Sequence, residues 1–101
     1  NNRALGMVKQ WQDMQYGGRY SSISYEDSLP DFVKLAESFG HVGLKVEKFS
    51  ELNAAMEEAF SLKDKLVFLD VLIDPDEHVY PMLEAGGSMS EMRISKKDKT
   101  F

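Results

Sequence analysis

The sequence contains no cysteine. A disulfide framework and a thiolate metal site are therefore excluded, and the composition suits the cytosol. No apolar run approaches the ~18–20 residues that a membrane-spanning helix needs. Basic residues are in deficit, 12 against 17 acidic, and the net charge of -5 argues against a general nucleic-acid binder. The only histidines are His41 and His78. One precedes and one follows an expected strand, neither has a ligand at metal spacing, and both read as ordinary surface or loop histidines. There is no HExxH, no Gly-Lys-Ser phosphate loop and no Ser-His-Asp pattern. Internal repeats and low-complexity stretches are also missing.

What remains is a folded composition, 43% hydrophobic and 29% charged, and a length of 101 residues that fits one domain at most. From Leu5 to about Met14 the spacing of Leu5, Val8 and Trp11 or Gln12 predicts a helix, ended by Gly17-Gly18. Asn1 and Asn2 read as a loop or strand end with the chemistry of a cap. Arg19–Tyr25 is expected to be loop. Asp27-Ser28-Leu29-Pro30-Asp31 predicts a helix start, with Ser28 as cap and Pro30 in the first turn. Phe32, Leu35, Ala36 and Phe39 form its apolar stripe, and Gly40 closes it.

Val42–Val46 predicts a short strand. Ser50 opens a helix over 51–62 with Leu52, Ala55, Met56, Ala59 and Phe60 on its inner face. Leu66–Ile73, β-branched and almost wholly apolar, predicts a strand covered on both faces, as in a parallel sheet, and Asp74-Pro75 stops it. The order is helix, helix, strand, helix, strand, then irregular chain from Val79 with a Gly86-Gly87 turn and a tail rich in lysine (Lys96, Lys97, Lys99). The strand–helix–strand unit should be right-handed. Two strands make a poor parallel sheet, so 66–73 calls for neighbours. With the Asn-Asn opening in place of Met, this leads us to expect a piece of a longer protein.

Asn1–Trp11 is the segment with most chemical content. An Asn amide oxygen is a hard neutral ligand suited to Mg²⁺, and backbone carbonyls beside it could complete a shell. The first-turn N–H groups of the following helix can receive a phosphate. On residue types alone, a capped helix with a core Trp11 is still the favoured reading. Asp74, Asp76 and Glu77 read as a solvated turn before a cation site. Tyr16, Tyr20, Tyr25 and Tyr80 could line a pocket or an interface.

Taken as a continuous pattern, Asn1-Asn2-Arg3-Ala4-Leu5-Gly6-Met7-Val8-Lys9-Gln10-Trp11-Gln12 resembles the cofactor-binding segment of the acetolactate synthase family, the catalytic large subunit of acetohydroxyacid synthase. The resemblance continues through Tyr16–Tyr20, Asp27–Ala36 and Gly40–Gly43. It resumes at Leu66–Val71 and runs on through Asp74-Pro75, Val79–Met82 and Gly86-Gly87 to about Met92.

The resemblance implies an α/β fold, the C-terminal half of a parallel-sheet thiamin-diphosphate-binding domain over 1–84, followed by a covering tail over 85–101. It implies thiamin diphosphate and Mg²⁺ as cofactors, with FAD bound mainly by other parts of the protein. Matched residue by residue, Asn2 would ligate Mg²⁺ through its side chain and Ala4 through its carbonyl. Leu5 and Gly6 would approach the diphosphate. Met7 would lie beside the thiazolium and the substrate. Trp11 would help select the second 2-ketoacid and touch herbicidal inhibitors, and Ala85 falls at a second inhibitor-contact position. Glu84 is less typical and takes no role. The metal-binding Asp of an upstream Gly-Asp-Gly motif, and the Glu that activates the cofactor, have no counterpart here.

The activity so implied is decarboxylation of pyruvate and carboligation to a second 2-ketoacid, in branched-chain amino acid biosynthesis, with this chain alone inactive. The implied partners are 2-ketoacid substrates, further large subunits in a homodimer or tetramer, and a small regulatory subunit, with no nucleic acid and no membrane. The implied location is the bacterial cytoplasm, or alternatively a plastid or mitochondrion. Two other readings stand beside it. One is a related thiamin-diphosphate carboligase such as glyoxylate carboligase, and the other a self-contained small α/β interaction module.

Overall fold

A computed structural model describes residues 1–98. The expected Lys99 of the lysine-rich tail lies outside the described residues. The chain divides into two compact units. One comprises Asn1–Ala4 with Ser24–Pro75, and the other Leu5–Ile23 with the described residues from Asp76 onward.

In the first unit, helix α2 (Phe32–Ser38) leads into strand β1 (Val42–Val46), helix α3 (Leu52–Ser61) and strand β2 (Val67–Val71). Helix α1 (Gly6–Tyr16) belongs to the second unit. The strands pair in parallel with Val42 opposite Val67 and Val46 opposite Val71. They form a sheet of two strands among the described residues. The fold is thus α/β with a parallel sheet, as expected.

Local chemistry explains the boundaries. Helix α2 begins later than expected, and Ser28 does not cap it. Its Oγ instead donates to the Tyr25 carbonyl (3.4 Å), within its own turn. The cap is Asp31, whose carboxylate accepts from the Lys34 N–H at 3.1 Å. Pro30 therefore lies before the cap, not in the first turn. These hydrogen bonds to the charged form, with the Lys34 ammonium 3.2 Å away, hold the Asp31 carboxyl below its ordinary value. Helix α3 is preceded by a 3₁₀ turn, Phe49–Glu51, that includes the expected opener Ser50. Glu51 accepts there from the Glu47 and Lys48 N–H groups (3.0 and 3.1 Å), which lowers its pKa.

The core of this unit is small. Ala36 and Val46 are buried. The rings of Phe32 and Phe68 stack with centroids 6.0 Å apart. Gly43 lets the α2 backbone meet β1, since a Cβ there would stand 2.7 Å from the Val33 Cα and carbonyl oxygen. Leu52, Ala55 and Ala59 are half-buried, but Met56 and Phe60 are exposed, Phe60 by 68%, contrary to their expected inward position. Phe39 and Leu66 are equally open at 72% and 68%. β2 covers five residues, not the expected eight, and Phe68 on it is 47% exposed, so the strand is not buried on both faces here.

In the second unit, α1 ends on Gly17, whose φ of 59° is left-handed and whose N–H donates to the Gln12 carbonyl. Ile23 is buried. The stretch after Val79 is less irregular than expected. Met82 and Arg93 form an antiparallel bridge with both N–H···O bonds at 2.8 Å, and a 3₁₀ turn spans Met89–Glu91. The Gly86-Gly87 turn is present, with Gly87 N–H donating to the Glu84 carbonyl (3.0 Å).

Candidate functional site

Asn1 is tied to the end of β2. Its terminal nitrogen donates to the Val71 carbonyl at 2.7 Å, and its carbonyl accepts from Ile73 N–H at 3.1 Å. Its side-chain amide donates to the buried Asp70 carboxylate at 2.9 Å. Asp70 was not legible as a site residue, because its partner lies 69 residues away. Two successive Asx turns follow. Asn1 Oδ1 accepts from Arg3 N–H (3.0 Å), and Asn2 Oδ1 from Ala4 N–H (3.2 Å). Arg3 between them is left-handed, with φ 54°. An isolated antiparallel bridge pairs Ala4 with Ser24, and the Tyr25 N–H donates to the Arg3 carbonyl.

This arrangement leaves oxygen donors unspent. Asn2 Oδ1 has one N–H donor and a second lone pair. Among the described residues nothing donates to the Ala4 carbonyl. Two neutral oxygens on neighbouring residues fit a hard cation such as Mg²⁺ as part of a shell. Among the described residues no group of three His, Cys, Asp or Glu could hold a metal.

In the second unit, α1 opens on Leu5 with no side-chain cap, and its first turn carries no acidic residue. Its leading N–H groups are thus free of internal anions, which fits an approaching phosphate. Asn1 and Asn2 do not cap it, contrary to the cap chemistry of their sequence. Leu5, Met7 and Val8 are 44–45% exposed. Met7 and Trp11 are one helical turn apart and share a face, with Trp11 half-buried. Ala85 is exposed beside the turn at Gly86, whose φ is 84°.

The buried side of α1 is polar. Lys9 is 8% exposed and Gln10 1%, the most enclosed side chain described. Lys9 Nζ pairs with Asp76 and lies 5.3 Å from the Tyr20 ring centroid. The Lys9 ammonium holds the Asp76 carboxyl below its ordinary value. Asp76 is therefore engaged by a lysine and not simply solvated. Gln10 makes two bonds to Val79, its Nε2 donating to the carbonyl (2.8 Å) and its Oε1 accepting from the N–H (2.9 Å). Gln12 makes the same pair with Ser21, at 3.1 and 3.0 Å.

His78 is no surface histidine. Its side chain is 2% exposed, with Nε2 2.5 Å from Asp13 Oδ2. The other Asp13 oxygen accepts from the Tyr20 hydroxyl, also at 2.5 Å, and this bond raises the Tyr20 pKa to about 12. Glu84 pairs with Arg93.

The chain matches, over residues 1–71, the family described as thiamine pyrophosphate enzyme, C-terminal TPP binding domain. It is 59% identical over 96 residues to the acetolactate synthase large subunit of Haemophilus influenzae, covering 95% of this chain and 17% of that protein. It is 55% identical over 102 residues to the acetolactate synthase isozyme 3 large subunit of Escherichia coli (99% of this chain, 18% of that protein). With the large subunit of Corynebacterium glutamicum it shares 40% identity over 98 residues, 94% of this chain and 16% of the relative. The chain thus spans less than a fifth of the length of these curated relatives.

Proposed function

Since the chain belongs to the thiamine pyrophosphate enzyme family, through its C-terminal TPP binding domain, we propose that it is part of an acetolactate synthase large subunit. The observation that carries this is similarity to proteins of that name across nearly the whole chain. The activity is decarboxylation of pyruvate and carboligation to a second 2-ketoacid, within branched-chain amino acid biosynthesis.

Thiamin diphosphate, when bound, supplies the electron sink for that chemistry. Asn2, through Oδ1, and Ala4, through its carbonyl, would hold Mg²⁺. The unspent oxygens at both positions support this. The backbone at Leu5–Gly6, at the acid-free start of α1, would receive the diphosphate. The Leu5 N–H is held by the Ile23 carbonyl (2.9 Å), so the donors would be the N–H groups from Gly6 onward, where the helix dipole favours an anion. Gly6 leaves room for close approach. Met7 and Trp11, one turn apart, would present an apolar wall to the substrates. Trp11 and Ala85 would also be contacts for herbicidal inhibitors.

The 101 residues alone would be inactive, because the activating Glu and the metal-binding Asp would come from elsewhere in the longer protein. That longer protein would also bind FAD, associate as a dimer or tetramer, and take a small regulatory subunit in the cytoplasm of a bacterium. The test is to assay the intact protein with pyruvate, thiamin diphosphate and Mg²⁺. Acetolactate is the expected product, and its absence rejects the reading.

A further inference from the structure

Helix α1 grips the segment 76–79 with three side chains from its buried face. Lys9 holds Asp76, Asp13 holds His78, and Gln10 holds both backbone groups of Val79. The three contacts differ in kind. Two are between side chains and depend on what stands at 76 and 78. The third reads only the backbone, so it fixes where the chain runs whatever the side chain is. A Gln amide suits this because it carries one acceptor and a donor on the same plane. No charged or purely apolar side chain of that length offers both.

Gln10 is adjacent to Trp11 in the same helix, and Val79 leads within six residues to Ala85. We infer that Gln10 is a positioning residue. It sets the path of the chain from Val79 toward Ala85 against α1, and so sets one wall of the pocket that receives the second 2-ketoacid. This rests on the function proposed above. The buried polar pair is costly if half broken, since a lost partner leaves Val79 groups or the amide unsatisfied. The segment therefore has one strongly preferred register on the helix.

The test uses the intact holoprotein and the variants Gln10→Met and Gln10→Glu. Both approximate the original volume. Methionine removes both bonds, and glutamate replaces the donor by a second acceptor facing the Val79 carbonyl. Acceptor KM should rise by about tenfold, the scale of one or two lost hydrogen bonds. kcat should stay within about twofold. The product ratio from pyruvate and its homologue one methylene longer should shift, and proteolysis after Val79 should accelerate. Gln10→Glu should regain part of the lost acceptor affinity as pH falls and its carboxyl protonates.

A lowered melting temperature with unchanged KM, product ratio and cleavage would overturn the inference and leave Gln10 a stability residue only. Should neither variant fold, amide exchange of Val79 in the parent decides. Slow exchange supports the clamp, and exchange at the rate of an exposed loop overturns it. If the parent forms no acetolactate, the proposed function fails, and cleavage and exchange still judge the clamp separately.

Discussion

Asp13 and His78, 65 residues apart in sequence, meet through Oδ2 and Nε2 at 2.5 Å, while the opposite oxygen of the same carboxylate accepts from Tyr20. One carboxylate thus anchors two loops to α1.

The Tyr20 end of this pair gives an alkaline signature. The folded pKa is raised to about 12 from an ordinary value of 10.0, first through the hydrogen bond to Asp13 and then through burial. A raised pKa means that the folded state favours the protonated phenol. The contribution is whole below pH 10 and fades as pH climbs through about 12. Tyr20→Phe should therefore melt at a lower temperature than the parent near neutrality, with the gap closing between these limits. Phenolate absorbance should show a late-titrating component that disappears in Tyr20→Phe, and its presence unchanged in that variant would contradict the bond.

Gly43→Ala should destabilise the first unit. The new methyl would meet the α2 backbone at 2.7 Å, and backbone cannot swing aside as a side chain can. Overpacking of this kind typically costs about 1–3 kcal/mol. Thermal melting of the intact protein checks this, and an unchanged midpoint would show that α2 stands further from β1.

If Asn2 holds Mg²⁺ as proposed, Asn2→Ala in the intact protein should weaken thiamin diphosphate binding in the presence of Mg²⁺, because the proposed ligand is removed and the Ala4 N–H loses its acceptor. Calorimetric titration measures the loss. Unchanged affinity would remove Asn2 from the metal shell.

Trp11→Leu should change which 2-ketoacid is accepted, while cofactor affinity stays near that of the parent. Acceptors that differ by a methylene are separated by roughly 1–3 kcal/mol, so a reshaped pocket should move the product ratio by one to two orders of magnitude at most. A shift in cofactor affinity with no shift in that ratio would place Trp11 elsewhere. Sensitivity to inhibitors should fall in the same variant.

Elements written in local pattern were legible in the sequence. Val42–Val46 forms the strand its apolar run predicts, and Gly17 ends α1 as a left-handed glycine should. The start of α2 differs from the sequence expectation because Ser28, Pro30 and Asp31 are all competent start residues. Only the geometry decides that Asp31 reaches the Lys34 N–H. His78 and Asp70 were out of reach for a different reason, since each is buried by a partner more than sixty residues away, and no spacing rule encodes that. The same holds for Lys9 and Gln10. A helical pattern assigns polar side chains outward, yet these two face inward because the 76–79 segment brings a carboxylate and a bare backbone to meet them. The segment Asn2–Met7 was legible only as a pattern of residue types. Its unspent oxygens and uncapped helix start are features of the folded structure.

In α1, the usual division between inside and outside is reversed: Gln10 is sealed, while Leu5, Met7 and Val8 remain open. Gln10 faces away from Val8, while Met7, three residues before Gln10, stands at the border between the sealed and the open face of the helix. On the function proposed above, changes at the exposed Met7 should retune selectivity with less penalty to folding than changes at the enclosed Gln10. Natural variation along this helix should therefore be freer at its exposed positions than at its sealed ones.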